Sequence, residues 1–456
     1  MSQSKELGEK PIGPLLRKMA VPASVGMLVM SIYSIVDTIF VGLWVGTLGI
    51  AAITVVMPIM FLISSMGMAI GVGGSSIISR ALGGDDHDKA CKVFGNMVTL
   101  TLLLVVVLGL GLSFFLTPVL ELFGAQGDIM EPAKSYFTIV LLSVPGLAFA
   151  MMGNNVMRAE GAPNMAMFTM MVPAVANLIL DPIFIVWLDW GIEGAAWATT
   201  LSYYASGGFT LWFFLSGRSE LTLYRSSMAL DRRLVRDIFS IGIVTLARQG
   251  TISLLTIVLN RTLFQYGNEV AVAMYGIINR VMMFANFPVL GITQGFMPIV
   301  GYNFGAGKLE RVRSIINYSI RSGTVISLGL FAGILFFADS IVSIFTNDPE
   351  LISQTPRALM LSFLAVPLIT AQLVSSAYFQ AIGKAWPALI LTLTKQGFFL
   401  IPFVLILPRF FGLDGVWYAF PVSDVLAVAV TYGYLRYELG RKAPYEVEAA
   451  QASGGD

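Results

Sequence analysis

Charge is what this sequence has least of. Of 456 residues only 12% are Asp, Glu, Lys or Arg, while 56% are hydrophobic. Soluble domains carry about 25% charged residues. A water-soluble protein of this size could not cover its surface with so few, so the bilayer is the expected solvent. Cysteine occurs once, as Cys91, which excludes an intramolecular disulfide. Histidine also occurs once, as His87 in "GGDDHDKA", where a solvated loop residue is the reading rather than a metal ligand. A net charge of +1 suggests no nucleic-acid partner. A nucleotide-binding loop is missing too. "GYNFGAGKLE" lacks the glycine spacing and the Ser or Thr after Lys308. Energy for any transport must then come from an ion gradient rather than ATP. "NRT" at Asn260 and "NYS" at Asn317 lie in or beside apolar runs and are chance glycosylation matches. No cleavable signal peptide is expected, since the first 18 residues are polar and the first apolar run is long enough to span.

Long apolar runs are what the sequence has in abundance. A helix needs about 20 apolar residues to cross a bilayer. Twelve such stretches are expected, at about 19–42, 50–78, 93–118, 133–157, 165–188, 194–216, 238–266, 271–300, 314–338, 358–382, 386–408 and 413–435. Turn and cap signals separate them, among them "LGGDDHD", "FGAQGDIMEP" and "FTNDPEL". The basic residues test this count. With the N-terminus inside, 20 Lys and Arg fall in the inner segments, and only Lys134, Arg357 and Arg409 fall in the outer loops. Arg248, Arg261, Arg280, Arg321 and Lys395 lie within spans. That bias places both termini in the cytoplasm.

The longest charged break, 217–237, divides the chain in two. The expected organisation is a cytoplasmic segment 1–18, an N-terminal lobe 19–216, the interlobe loop 217–237, a C-terminal lobe 238–435 and a cytoplasmic tail 436–456. The tail "YEVEAAQASGGD" is expected to be disordered. The halves echo one another at an offset of 222: Gly73 with Gly295, Gly83 with Gly305, Val144 and Pro145 with Val366 and Pro367, Gly161 with Gly383. The fold class is thus all-α integral membrane, twelve helices in two pseudo-symmetric six-helix lobes. Six spans per repeat give parallel repeats, with a substrate site expected between them.

Within the first span, "SIYSIVDTIFVG" carries Asp37. An ionised carboxylate in hydrocarbon costs roughly 3 kcal/mol on insertion scales, so it needs a reason. The offset places Leu259 at the equivalent position, and this asymmetry leans towards function. In "NLILD", Asn177 and Asp181 are four residues apart and share one helix face. The fourth span ends with Asn154, and the sixth carries Thr199, Thr200, Ser202, Tyr203 and Tyr204. These groups offer oxygens that suit Na⁺, a hard cation. Two nearby acids would equally serve a proton. Pro22, fifteen residues before Asp37, is the expected kink of the first span.

Several stretches in order resemble the multidrug and toxic compound extrusion (MATE) family, over roughly residues 11–437. They are "IVDTIFVG", "GVGGSSIISRALGGDDHDKA", "MRAEGAPNMAM", "NLILDPIFI", "GIEGAAWAT", "PIVGYNFGAGKLERVR" and "GLDGVWYAFPVSD". The resemblance implies two six-helix lobes in a V and export of cationic or amphipathic drugs against Na⁺ or H⁺. It implies a coupling-ion site at Asp37, Asn154, Asn177, Asp181 and Thr199. Met30, Tyr33, Met60, Met170 and Tyr203 are candidate drug contacts, since promiscuous surfaces use Met heavily; with 23 Met in the chain, packing is the competing role. No cofactor is expected. The expected partners are small-molecule drugs and membrane lipids, with a monomer as the working unit in a prokaryotic cytoplasmic membrane.

The C-terminal half differs. Some branches of the family carry an essential carboxylate in the seventh span, where this chain reads "IGIVTLARQGTIS" without an acid. Asp424 is expected to pair with a basic neighbour such as Lys395 and stabilise its lobe. The alternative reading is a flippase for lipid-linked sugars or lipids. An intramembrane enzyme would need a nucleophile and base within the spans, and the lone His and Cys lie outside them. A channel fits the pseudo-repeat and long central loop less well than alternating access does.

Overall fold

A computed structural model describes residues 3–440. The tail sequence expected to be disordered lies outside the described residues. Every regular element among the described residues is helical. In order they are α1 (Lys5–Glu9), α2 (Ile12–Trp44), α3 (Thr47–Gly83), α4 (His87–Phe114), α5 (Leu116–Leu122), α6 (Met130–Leu141), α7 (Val144–Ala159), α8 (Pro163–Asp181) and α9 (Gly191–Leu215). Then follow α10 (Arg232–Gly305), α11 (Leu309–Phe345), α12 (Pro349–Phe363), α13 (Val366–Ala381), α14 (Ala385–Leu393), α15 (Ile401–Ile406), α16 (Pro408–Phe411) and α17 (Leu413–Gly440).

These helices make the twelve expected crossings, though not one helix to each. Eight helical stretches are individually long and apolar enough to cross a membrane. Two crossings are bent pairs, α6 with α7 at 54° and α12 with α13 at 44°. Pro145 and Pro367, residues of equal rank in the repeat, stand at the start of α7 and α13 and cannot donate a helical N–H. Helix α10 holds two crossings in one run of 74 residues, broken where Gly267 and Asn268 leave helical angles. The Asn268 side chain accepts from the Val270 N–H at 2.9 Å and so starts the second. Helix α9 is the twelfth. Its 25 residues are enough to span, but hydroxyls dilute its apolar character.

The helices form two compact units. One holds Pro22–Thr245 together with the residues up to Leu7; the other holds Gly8–Val21 together with the described residues from Leu246 onward. Helix α2 therefore divides at Pro22, and α10 contributes its first turns to the first unit. Each unit has its own apolar core, including Val56, Ile63, Phe137 and Leu147 in the first and Leu259, Ile278, Phe363 and Trp417 in the second.

In lipid, helices gain little by hiding apolar surface from neighbours as apolar as themselves, so close backbone approach must hold them together. Small residues allow it. A Cβ on Gly67 would lie 3.2 Å from the Ala148 Cα, and one on Gly146 would lie 2.6 Å from the Tyr203 carbonyl oxygen. The repeat is expressed at these seams. Gly73 on α3 lies against the backbone of Ile238 and Gly242. Its counterpart Gly295 lies against Met19 and Ala20, where a Cβ would come within 2.8 Å of the Met19 Cβ. Gly161 and Gly383 end α7 and α13 in the left-handed region, at φ 80 and 85.

Replacing Gly73 with Ala would drive a methyl group into the Ile238 carbonyl. Neither backbone can step aside cheaply, so we expect a loss of about 3 kcal/mol or more and little monodisperse protein on size-exclusion chromatography. Gly111→Ala, where a Cβ meets nothing within 4 Å, is the control and keeps the wild-type melting temperature. Equal behaviour of the two variants would refute the close-packed seam.

Candidate functional site

Four helices of the first unit bring the site together. Helix α2 supplies Asp37, α8 supplies Asn177 and Asp181, α9 supplies Thr199 and Tyr203, and α6 supplies Tyr136. The carboxyls of Asp37 and Asp181 come close enough to share a hydrogen bond. Two ionised carboxylates have only acceptors, so a bond between them would need one shared proton. Asp181, Asn177 and Thr199 are buried. Asp37 is half-buried and is therefore the member an arriving cation meets first.

Asn177 links Asp181 to Thr199. Its amide nitrogen donates to the Asp181 carboxylate at 2.5 and 3.3 Å, while its oxygen accepts from the Thr199 backbone N–H at 3.3 Å. The carboxamide therefore uses both its ends, and α8 and α9 are joined at the acid.

The local backbone explains how Asp181 is presented. Pro182 has no N–H, so the carbonyl four residues earlier loses its helical donor. The chain answers with a π-helical turn over Pro182–Trp187, in which the Leu188 N–H reaches the Ile183 carbonyl at 2.9 Å. Such turns widen a helix and recur at functional sites. Around the acids stand three tyrosines, Tyr33, Tyr136 and Tyr203, all within the electrostatic reach of Asp37. Tyr136 also hydrogen-bonds Thr199.

Of the five expected coupling residues, Asp37, Asn177, Asp181 and Thr199 meet. Asn154 is engaged elsewhere. Its amide donates to the Ala166 carbonyl at 2.5 Å and to the Thr169 hydroxyl at 2.7 Å, and Ser206 donates to the Thr169 carbonyl at 2.6 Å. These bonds tie α7, α8 and α9 together. Among the expected drug contacts, Tyr33 and Tyr203 flank the acids. Met30 is half-buried on α2. Met60 packs on the first unit's core. Met170 lies close to Gly26, and the Arg158 guanidinium sits 3.9 Å from its sulfur. Tyr136 was missing from the sequence expectation. A tyrosine inside an apolar run carries no signal of its own, and only the fold turns its hydroxyl towards Thr199.

The donor set is two carboxyls, one carboxamide and hydroxyls. Among the described residues no group of three or more His, Cys, Asp or Glu gathers as a metal centre would require. Oxygens of this kind and number can exchange a proton or a hard monovalent cation.

In the second unit, the ion pair expected from the sequence is present. Lys395 Nζ lies 2.7 Å from an Asp424 carboxylate oxygen, and Asp424 is 2% exposed. Lys395 sits in a second π-helical turn, Thr394–Leu400, which follows α14 as the first π turn follows α8. Aligning Gly191 with Gly412 places Asp424 on Tyr203 of the first unit. The second unit thus answers its buried acid with its own base, where the first leaves two acids facing each other.

The MatE family model matches residues 22–183 and 246–406. The chain is 27% identical over 423 residues to the multidrug export protein MepA of Staphylococcus aureus (strain MSSA476), covering 92% of each protein. A crystal structure described as MATE in the bent conformation superposes with a TM-score of 0.92 at 26% identity, over 99% of both chains. A multidrug resistance MATE family transporter in an outward-facing conformation superposes with a TM-score of 0.91 at 26% identity, over 96% of this chain and 98% of that one. Twelve crossings in two pseudo-symmetric units, an acidic pair within one of them, and family matches in both halves agree: the chain is a multi-pass membrane protein of the MatE family, the multidrug and toxic compound extrusion transporters.

Proposed function

We propose that this transporter exports cationic or amphipathic drugs in exchange for Na⁺ or H⁺, with the coupling ion held by Asp37, Asn177, Asp181 and Thr199. The observation that carries the reading is the juxtaposition of Asp37 and Asp181 inside an apolar helical unit. An acidic pair there is costly when empty and is relieved by a cation. The named functions of the relatives agree with it.

Loading and release follow from the geometry. A cation or proton arrives at half-exposed Asp37 and is shared with Asp181. Asn177 and Thr199 add neutral polar groups beside the two acids. Tyr33 and Tyr203 stand beside the same acids, so an aromatic-bound drug cation and the coupling ion compete for one region of negative potential. That competition is the basis of exchange. Loading is expected to alter the bend of α2 at Pro22, on the same helix as Asp37. The inner ends of the helices, where Lys and Arg gather, face the cytoplasm, and the transporter works as a monomer without a cofactor.

Ethidium efflux from proteoliposomes, under Na⁺ and H⁺ gradients imposed separately, tests this. Efflux driven by one gradient and abolished by its collapse is the expected result and names the ion. No transport under either gradient by well-folded protein would overturn the drug-exchange reading in favour of lipid-linked substrates.

A further inference from the structure

A cavity in the first unit lies away from the acidic pair. It measures about 690 Å³ and is enclosed by α4, α7, α9 and the segment after α9. Its walls are almost wholly apolar and include Phe94, Leu102, Phe149, Leu211 and Phe214. Glycines make the room. Gly146 and Gly207 bring α7 and α9 together, a Cβ on Gly207 lying 2.9 Å from the Gly146 Cα. Next to them Gly208 faces open space, with nothing within 4 Å of its Cβ position. Leu102 and Leu211, both about half exposed, show that the crevice opens on the lateral face of membrane-spanning helices. The solvent on that face is hydrocarbon.

One end of the crevice is polar and differently built. Gly217, Ser219 and Thr222 line it. Ser219 donates to Glu160 at 2.6 Å and accepts from the Leu221 N–H at 3.0 Å, which holds the segment in a fixed turn. Between these lining residues stands Arg218, exposed and stacked 4.8 Å over the Trp212 ring. It has no carboxylate partner among the described residues. The Glu160 carboxyl is buried and taken by Ser219, and burial pushes it up to about 8. The Glu220 carboxylate is occupied by Ser4, at 2.9 Å from its N–H and 2.5 Å from its hydroxyl. Arg218, flanked in sequence by the lining residues Gly217 and Ser219, thus brings a charge without a carboxylate partner among the described residues to the polar end of an apolar slot that opens to lipid.

We propose that this crevice holds one acyl chain of an anionic phospholipid, with the headgroup phosphate on Arg218. Basic groups at the ends of clefts between membrane helices recognise anionic headgroups, and one such contact discriminates about fivefold against a zwitterionic lipid. Trp212 stacks against the guanidinium and supplies the amphipathic ring that suits the headgroup level. The lipid would brace α4 against α9 and so steady the helix that carries Thr199 and Tyr203.

Native mass spectrometry of the purified full chain tests the site, with phosphatidylglycerol and phosphatidylcholine offered in equal amounts. Wild type should retain one phosphatidylglycerol with about fivefold preference. Gly208→Leu, at a position whose Cβ would meet nothing within 4 Å, puts a side chain into the slot and should lose the retained lipid. Arg218→Gln should keep a lipid but bind the two headgroups equally. Unchanged wild-type retention and preference in both variants would overturn the proposal, as would displacement of no lipid in Gly208→Leu. Retention of ethidium in place of lipid at this crevice would overturn it too, and would mark a drug site. Melting temperatures equal to wild type verify that each variant is folded.

Discussion

Asp37→Asn is expected to lower gradient-driven ethidium efflux about 100-fold or more, down to the level of protein-free vesicles, while the protein stays folded. The reason lies in what Asn keeps and what it loses. Its shape and hydrogen-bonding capacity let it still meet Asp181, so packing of α2 is preserved. It cannot ionise, so the pair can no longer alternate between a cation-holding and an empty state. A coupling free energy of roughly 3 kcal/mol corresponds to this factor. Asp181→Asn should behave alike, because the two acids act as a unit. Asn154→Ala should not. Its bonds are to Ala166 and Thr169, so it should lower the melting temperature and leave the coupling ratio of the surviving protein intact. Gradient-driven efflux at the wild-type rate in Asp37→Asn would remove the acidic pair from the mechanism.

The largest expected effect on stability is at Asp424. Its carboxylate and Lys395 meet at 2.7 Å, and Asp424 is 2% exposed. Removing one charge strands the other in an apolar unit, at a cost of about 3–5 kcal/mol. Asp424→Asn should therefore express poorly and melt early on fluorescence-detected chromatography. Replacing both partners, Lys395→Met with Asp424→Leu, should recover most of the loss, because no unpaired charge remains. The recovered double variant should couple ion and drug as wild type does. A stable Asp424→Asn with altered coupling would instead assign the pair to transport.

Much of this architecture was legible in the sequence because the bilayer imposes a coarse rule. A crossing needs a long apolar run whatever its neighbours, so the twelve runs survive even where α6 and α7 bend by 54° or where α10 carries two crossings. The acids were legible for the converse reason, since a carboxylate in such a run stands out. The four-residue spacing of Asn177 and Asp181 put both on one face. What was hidden depends on partners distant in sequence. Asn154 looks equivalent to Asn177 until its bonds to α8 are seen, and Tyr136 looks like any apolar-run aromatic until its hydroxyl meets Thr199. The unit that Gly8–Val21 joins was hidden too, because hydropathy reports the solvent a segment prefers and not the helix it packs against.

The membership of Gly8–Val21 bears on how the protein is made. These residues leave the ribosome first, yet the seat for Ala20 is Gly295, which follows it by 275 residues. At about 5–20 residues per second, that seat does not exist for roughly 14–55 seconds after Ala20 has been synthesised. The first turns of α2, up to Val21, must wait, tethered to a unit to which they do not belong. Residues 232–245 close the first unit only after the interlobe loop has emerged. Neither unit can be finished from its own contiguous half of the chain. A break in translation at the loop therefore yields two incomplete units, which gives quality control a clear substrate.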